Sequence, residues 1–411
     1  MWSGNTRHIY LTNKDGTSSD NITFIAAPGE TWWEAGVGNG VVIDGASTAP
    51  TSVDTIKLSE SDYINVIGFE ITSGVSGYNT VGIHYEGPLT GGKAYNNYIH
   101  DLHGECGSLN CAGISIRSSA DSVSATHNMF DNIYEIGDSE NQNTSDIVVM
   151  DCDLFKVNFN VCKSTDGNGY GIKIKHGDLG ATGGEILQNI VTTRVDFPGI
   201  ACGGVPHTDI KYNYLYDMDN GGIEVKDLGA NTDDFTDIYV AYNTIINTNT
   251  FCFAFNPDNT DATAGTPSVN AELNICISDH SGTWPSSGDG SSDVRVNHYG
   301  SDALYTDHIS GNKMVIENNC IYKSTGDAFQ GTIFGNNDST VNGTVYNSWS
   351  AWQTAGWDTG GANENPTLDS YGRATSTNCS DAGWLLTSEG GTPTAQGSGR
   401  GQRIKRGRLL K

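Results

Sequence analysis

Basic residues are scarce in this chain: 22 Lys and Arg stand against 48 Asp and Glu, a formal charge of -26 over 411 residues. Phosphate binding needs clustered Lys and Arg, so composition excludes nucleic acid as a partner of the protein's body. The body is more acidic still. Arg400, Arg403, Lys405, Arg406, Arg408 and Lys411 hold six of the basic residues with no acid among them, leaving -32 for the rest. No run of about eighteen apolar residues occurs, which leaves no membrane-spanning helix to expect. A charged, apolar, small-residue leader is also missing from the start of the chain. The nine cysteines show no zinc spacing and no disulfide framework. Apolar residues at helical spacing of three and four are lacking too, while 52 glycines and many Asn, Asp, Ser and Thr break the chain into short segments.

What the chain does have is a recurring asparagine. Asn97, Asn128, Asn160, Asn189, Asn213, Asn243 and Asn274 each precede two mostly apolar residues, at spacings of 31, 32, 29, 24, 30 and 31. A second ladder runs in step with it. Gly82-Ile83, Gly113-Ile114, Asp146-Ile147, Gly171-Ile172, Gly199-Ile200 and Gly222-Ile223 each open a short alternating strand. A period of this size with strand-type local pattern means one supersecondary unit stacked many times. Side chains alternate across a strand, so Ile83, Ile114, Ile147, Ile172, Ile200 and Ile223 are expected to form one buried stack and the residues after them to face solvent. Asn suits a recurrent corner because it tolerates left-handed backbone and its amide can bond to the next coil. The expected fold is all-β, a right-handed single-stranded parallel β-helix, or solenoid, of about ten coils with a C-terminal cap. At about 4.8 Å between strands, that makes a rod on the order of 50 Å long.

The chain divides in three. Residues 1–340 read as the solenoid, with an Asp, Ser and Gly-rich insertion at about 256–310 that lengthens the next ladder spacing to 45. Residues 341–390 hold Trp349, Trp352, Trp357 and Trp384 and read as a cap over the open end. Residues 391–411 read as a flexible linker and basic tail, suited to docking on another protein. Cys162, Cys202 and Cys276 fall at core positions and read as small buried residues, whereas Cys106 and Cys111 suggest a loop bridge.

Over roughly residues 20–340 the sequence resembles the pectin-lyase-like right-handed parallel β-helix superfamily. The likeness rests on the Asn ladder, the Gly-Ile strand starts and the opening stretch Asn21-Ile22-Thr23-Phe24-Ile25-Ala26-Ala27-Pro28-Gly29-Glu30. It implies a long shallow groove on one parallel sheet, where such proteins hold polysaccharides, and a carbohydrate-active protein that binds and cleaves one. Fold by itself does not establish function.

Chemistry is expected on the outward positions of the middle coils. Lys173 and Lys175 leave one strand outward, with His176 beyond them, and Glu224 and Lys226 take the matching positions two coils on, followed by Asp227. Ala201, Gly203 and Gly204 lie between as a flat floor, so the charged walls stand about 9.6 Å apart, two strand spacings. Upstream coils add His84, Glu86, Ser115 and Arg117 to the same columns, and Arg194, His207 and Asp209 are read as loop residues able to reach the site. Eliminative cleavage of a uronic acid needs the carboxylate neutralised, a base for the C5 proton and an acid for the leaving oxygen. The candidates are Lys173, Lys175, His176, Glu224 and Asp227 for catalysis, and His84, Arg117, Arg194, His207 and Lys226 for substrate. Asp151 and Asp153 are the candidate ligands for a calcium ion. Hydrolysis would instead need two carboxyl groups roughly 5 to 9.5 Å apart, drawn from Glu224, Asp227, Asp151 and Asp153.

Alginate and chondroitin lyases of the superfamily resemble the chain at Lys175-His176-Gly177, but they call for a second basic residue on the adjacent coil, where this sequence has Gly203. The alternative reading is a virion structural protein of tailspike or fibre type, trimeric where a secreted enzyme is monomeric. Either setting is extracellular or virion-associated.

Overall fold

The computed structural model describes residues 7–45, 54–73, 80–104, 110–135, 143–163, 169–175, 183–194, 197–203, 205–226, 237–256, 269–279, 293–298, 314–335, 344–369 and 373–383. Its strands form three stacked sheets of a right-handed parallel β-helix of about ten coils. Each coil visits the sheets in turn, as in Val81–Glu86, Lys93–Tyr95 and Tyr98–Gly104. Sheet 1 has twelve strands and sheets 2 and 3 have ten each. All pairs are parallel except the last of sheet 1, where Thr344–Tyr346 runs antiparallel to Gly331–Gly335. Within the 256–310 span, Val269–Glu272, Ile275–Ser278 and Val294–His298 take ordinary places in the three sheets.

The isoleucine stack is as expected. Ile83, Ile114, Ile147, Ile172, Ile200 and Ile223 are paired rung to rung and fully buried. The glycine before each of them except Ile147, which follows Asp146, has a definite reason to be small. A Cβ on Gly82 would stand 2.7 Å from the Gly113 carbonyl oxygen and 2.9 Å from Ile99 Cγ2, and one on Gly171 would strike Val191. Glycine and isoleucine therefore both face inward, and the strand makes an irregular step at its start.

The asparagines stack at the corner between sheets 2 and 3. Each Nδ2 donates to the next Oδ1 at 2.9 to 3.1 Å from Asn97 through to Asn319. The second proton of each goes to a backbone carbonyl of the preceding coil, as from Asn189 to Val157 at 2.8 Å. Each Oδ1 also accepts a backbone N–H, as from Asn160 to Asn189 at 2.9 Å. Both donors and both lone pairs are thus used in a dry setting, where an orphaned group would cost about 1 to 3 kcal/mol. The left-handed backbone, however, belongs to the residue before the ladder. Asn96, His127, Phe159, Gln188, Tyr212, Tyr242, Leu273 and Asn318 have positive φ, and the ladder asparagines do not. The asparagine is selected by its amide, which must point inward and leave nothing unbonded.

Cys162 and Cys202 are buried free thiols as expected, but Cys276 is bonded to Cys252. Cys252 occupies the inward glycine column, its carbonyl 2.6 Å from where a Gly222 Cβ would lie, and so faces Cys276 across the corner. Cys111 is in a disulfide, while Cys106, its expected partner, lies outside the described residues. A further bridge, Cys320–Cys379, ties the C-terminal segment to the last full coil. The short helix Trp349–Thr354 closes the end by burying Trp352 against Phe329, Tyr346 and Trp357. That is packing, and Trp352 and Trp357 are too buried to stack on a sugar. Trp384 and the basic tail lie outside the described residues.

The ladder ends on an acid. Asn319 donates its backbone N–H to Asp358 Oδ1 at 3.0 Å and its Nδ2 at 3.3 Å, while Asp358 Oδ2 is buried with no hydrogen-bond partner. Burial is the largest cause raising the Asp358 carboxyl to about 7, against the hydrogen bonds from Asn319. Its stabilising contribution is therefore complete below the unfolded value near 4 and is lost as pH rises through about 7. Asp358→Asn should match the parent in acid and exceed it by roughly 2 to 4 kcal/mol at about pH 8 in urea unfolding. Equal stabilities at both pH values would contradict an acid-terminated ladder.

Candidate functional site

Strand register fixes two columns on the outer face of sheet 1. One runs Lys57, His84, Ser115, Val148, Lys173, Ala201, Glu224, Ala254, Arg295. The other includes Glu86, Arg117, Met150 and Lys175, then Gly203 and Lys226. The expected alignment of Lys173 and Lys175 with Glu224 and Lys226, two rungs apart over Ala201 and Gly203, is the one observed. The expectation that this face is open to solvent is overturned: Lys173 is only 6% exposed, Ala201 1% and His84 0%. Around Lys173 and Lys175, chain just ahead of the strands contributes: Asn110 and Asn143 bond to Lys175, and Asn143 and Phe197 stand beside Lys173.

A cavity of about 240 Å³ is lined there by Asn143, Tyr170, Lys173, Lys175, Phe197 and Lys226, with Ala201 as floor. Tyr170 reaches this outer side because Gly171 and Ile172 both turn inward, so strict alternation from Ile172 misplaces it. The Lys173 ammonium position is 4.1 Å from the Tyr170 ring centroid. Lys175 Nζ donates to Asn110 Oδ1 at 3.2 Å and to Asn143 Oδ1 at 3.4 Å. Lys226 Nζ donates to Glu224 Oε2 at 3.0 Å, and Asn256 Nδ2 donates to Glu224 Oε1 at 3.0 Å.

Burial pushes Lys173 down to about 6, helped by the neighbouring charges of Lys175 and Lys226 and by a hydrogen bond with Lys175. That same hydrogen bond favours the charged form of Lys175, although burial lowers this lysine also. The pair is consistent with one proton arrangement, in which a Lys175 ammonium donates to a neutral Lys173 amine. Tyr170 stays protonated, its hydroxyl raised by burial and by Glu224. The cavity thus brings together three lysines, a phenol and, bonded to Lys226, the Glu224 carboxylate, in a chain whose overall charge is -26.

His84 and Arg117 are on the same face but belong to a separate cluster. Arg117 Nε donates to His84 Nε2 at 2.7 Å, so His84 carries its proton on Nδ1 and donates to Asp54 Oδ2 at 3.2 Å. Lys57 and Arg117 both pair with Glu86, and Lys57 also approaches Asp54 at 3.9 Å. Two acids and two bases balance around a neutral histidine, so the cluster presents no surplus charge to a ligand.

His207 is not brought to the cavity. Arg194 ends the sheet 3 strand Ile190–Arg194, with its side chain outside the described part. His207 is exposed at the start of the sheet 2 strand Thr208–Lys211, bonded to Asp237 at 2.9 Å, and Asp209 lies within that strand rather than a loop. His176 and Asp227 are outside the described residues. Asp151 and Asp153 lie at the turn that follows the strand Thr144–Met150. Their backbone N–H groups bond to the Lys175 carbonyl and to Asp121 Oδ1, and among the described residues no three His, Cys, Asp or Glu groups converge on a metal site. Tyr170, Asn110, Asn143, Phe197 and Asn256 went unread in the sequence, where only a glycine column hints at Tyr170 and nothing signals the others.

No protein-family model matches this sequence, and no curated protein is similar to it at a significant level. Among solved structures, a GH136 lacto-N-biosidase from Eubacterium ramulus is similar over 80% of this chain and 57% of its own, with 14% identity and a TM-score of 0.35. A PL6-family alginate lyase is similar over 92% and 52% respectively, with 11% identity and a TM-score of 0.36. A PL6-family polysaccharide lyase from Pseudopedobacter saltans is similar over 93% and 92%, with 12% identity and a TM-score of 0.36. The chain spans little more than half the length of the first two. Likeness at this level assigns no chemistry to the chain.

One consequence of the geometry is directly observable. Burial, the largest cause, together with Arg117 holds His84 below its ordinary value despite Asp54. Long-range ¹H–¹⁵N spectra should show a single His84 tautomer protonated on Nδ1 at neutral and alkaline pH. A midpoint at or above the ordinary value of about 6.5, or a proton on Nε2, would contradict the Arg117 hydrogen bond.

Proposed function

We propose that the protein is a polysaccharide lyase that cleaves an acidic glycan by β-elimination in the cavity on sheet 1. The observation that carries this reading is the clustering of buried Lys173 with Lys175 and Lys226 around one cavity whose floor is Ala201. Lys175, together with Lys226 drawn from its bond to Glu224, neutralises the uronate carboxylate, which makes the C5 proton acidic. Lys173, neutral near pH 7, removes that proton. The C4–O bond then breaks, its oxygen takes a proton from Tyr170, and a C4=C5 double bond remains. No step is routed through calcium.

Hydrolysis is less well supplied. Both Glu224 oxygens are engaged, by Lys226 and Asn256, which suits an ionised carboxylate and not a proton donor. A purely structural rod has no need of buried lysines either, since desolvating a charge costs stability that outward, solvated residues avoid.

The test is incubation with acidic and neutral polysaccharides, with and without calcium, following both ultraviolet absorbance of the new double bond and new reducing ends. Unsaturated ends should form on an acidic polymer, and Lys173→Met should lower kcat by about 10² to 10⁴. Activity should rise with pH through about 6, as Lys173 loses its proton. Reducing ends without the absorbance would establish hydrolysis instead, and silence on every polymer would return the protein to the structural class.

A further inference from the structure

A neutral amine held among ammonium groups is a nucleophile as well as a base. Lys173 is nearly inaccessible except through the cavity, whose volume of about 240 Å³ corresponds to roughly eight waters at about 30 Å³ each. That is room for a small organic acid. Lys175 and Lys226, the latter also bonded to Glu224, line the same space and can meet a carboxylate, while the Tyr170 and Phe197 rings pack together at its side. We propose that Lys173 reversibly captures small oxo acids, molecules carrying an aldehyde or ketone together with a carboxylate, as an imine. The inference goes beyond the lyase reading and shares with it only the assignment of Lys173 as the uncharged member of the cluster.

The step balances without a redox partner. The Lys173 nitrogen lone pair adds to the carbonyl carbon, and the resulting alkoxide takes a proton from Lys175 or Tyr170. Loss of the hydroxyl as water, with the second proton coming from the amine, leaves a C=N bond. Water reverses it. The carboxylate between Lys175 and Lys226 would orient the carbonyl toward Lys173, so oxo acids should react in preference to plain aldehydes.

The full chain is treated at neutral pH with glyoxylate or with acetaldehyde, each in the presence of cyanoborohydride, which reduces any imine to a stable secondary amine. Peptide mass spectrometry then reads the modification of every lysine. Glyoxylate should leave a carboxymethyl group on Lys173 more than about tenfold faster than on the exposed Lys156, because a surface lysine is almost wholly protonated there. Acetaldehyde should show a smaller preference for Lys173, and Lys226→Met should lower the glyoxylate rate toward the acetaldehyde one while leaving Lys156 unchanged. Labelling of Lys173 no faster than Lys156, or equal rates for the two reagents at Lys173, would overturn the proposal. Both readouts are independent of polysaccharide cleavage, so failure of the lyase reading and failure of this one are told apart.

Discussion

The amide ladder from Asn97 to Asn319 is the constraint on which the rest of the molecule depends. Each rung spends both protons and both lone pairs of its side chain, so a coil shifted by one residue would leave four partners unbonded in a dry corner. That fixes the register of every coil at one point. Loop lengths can then vary, as the ladder spacings of 24 to 45 show, without moving the strands relative to one another. The Asp358 terminus stops the repeat by offering an acceptor to Asn319 and presenting the cap beyond it.

Fixed register is what turns residues distant in sequence into a site. Lys173 and Lys175 come from one coil, Ala201 and Gly203 from the next and Glu224 and Lys226 from the one after, yet they form a single patch. Lys226, two strand spacings from Lys175 at about 9.6 Å, lines the same cavity, with long side chains closing the gap over a floor that has no bulk.

The fold was legible because its signals are periodic: the asparagines, the inward isoleucines and the glycines that precede them each recur once per coil. Site membership was legible for Lys173, Lys175, Glu224 and Lys226 for the same reason, since alternation and register place them. What alternation cannot convey is what lies over a face. Asn143 and Phe197 line the cavity around Lys173 from connecting chain, and those positions follow no period. Cys276 was misread because Cys252, its partner, stands where other coils have glycine. The left-handed corner was assigned to Asn when the residue before it bears that strain, a choice that propensity favours and the demand for an inward amide overrules.

Burial is also what gives the site its chemistry, because a solvated lysine pair on a flat sheet would be two ordinary ammonium groups. The central claim is that Lys173 is uncharged near neutrality. An NMR titration of its side chain, assigned with Lys173→Arg, tests it most directly. The account predicts a midpoint of about 6, whereas one at about 10.4, the value of an exposed lysine, would contradict it.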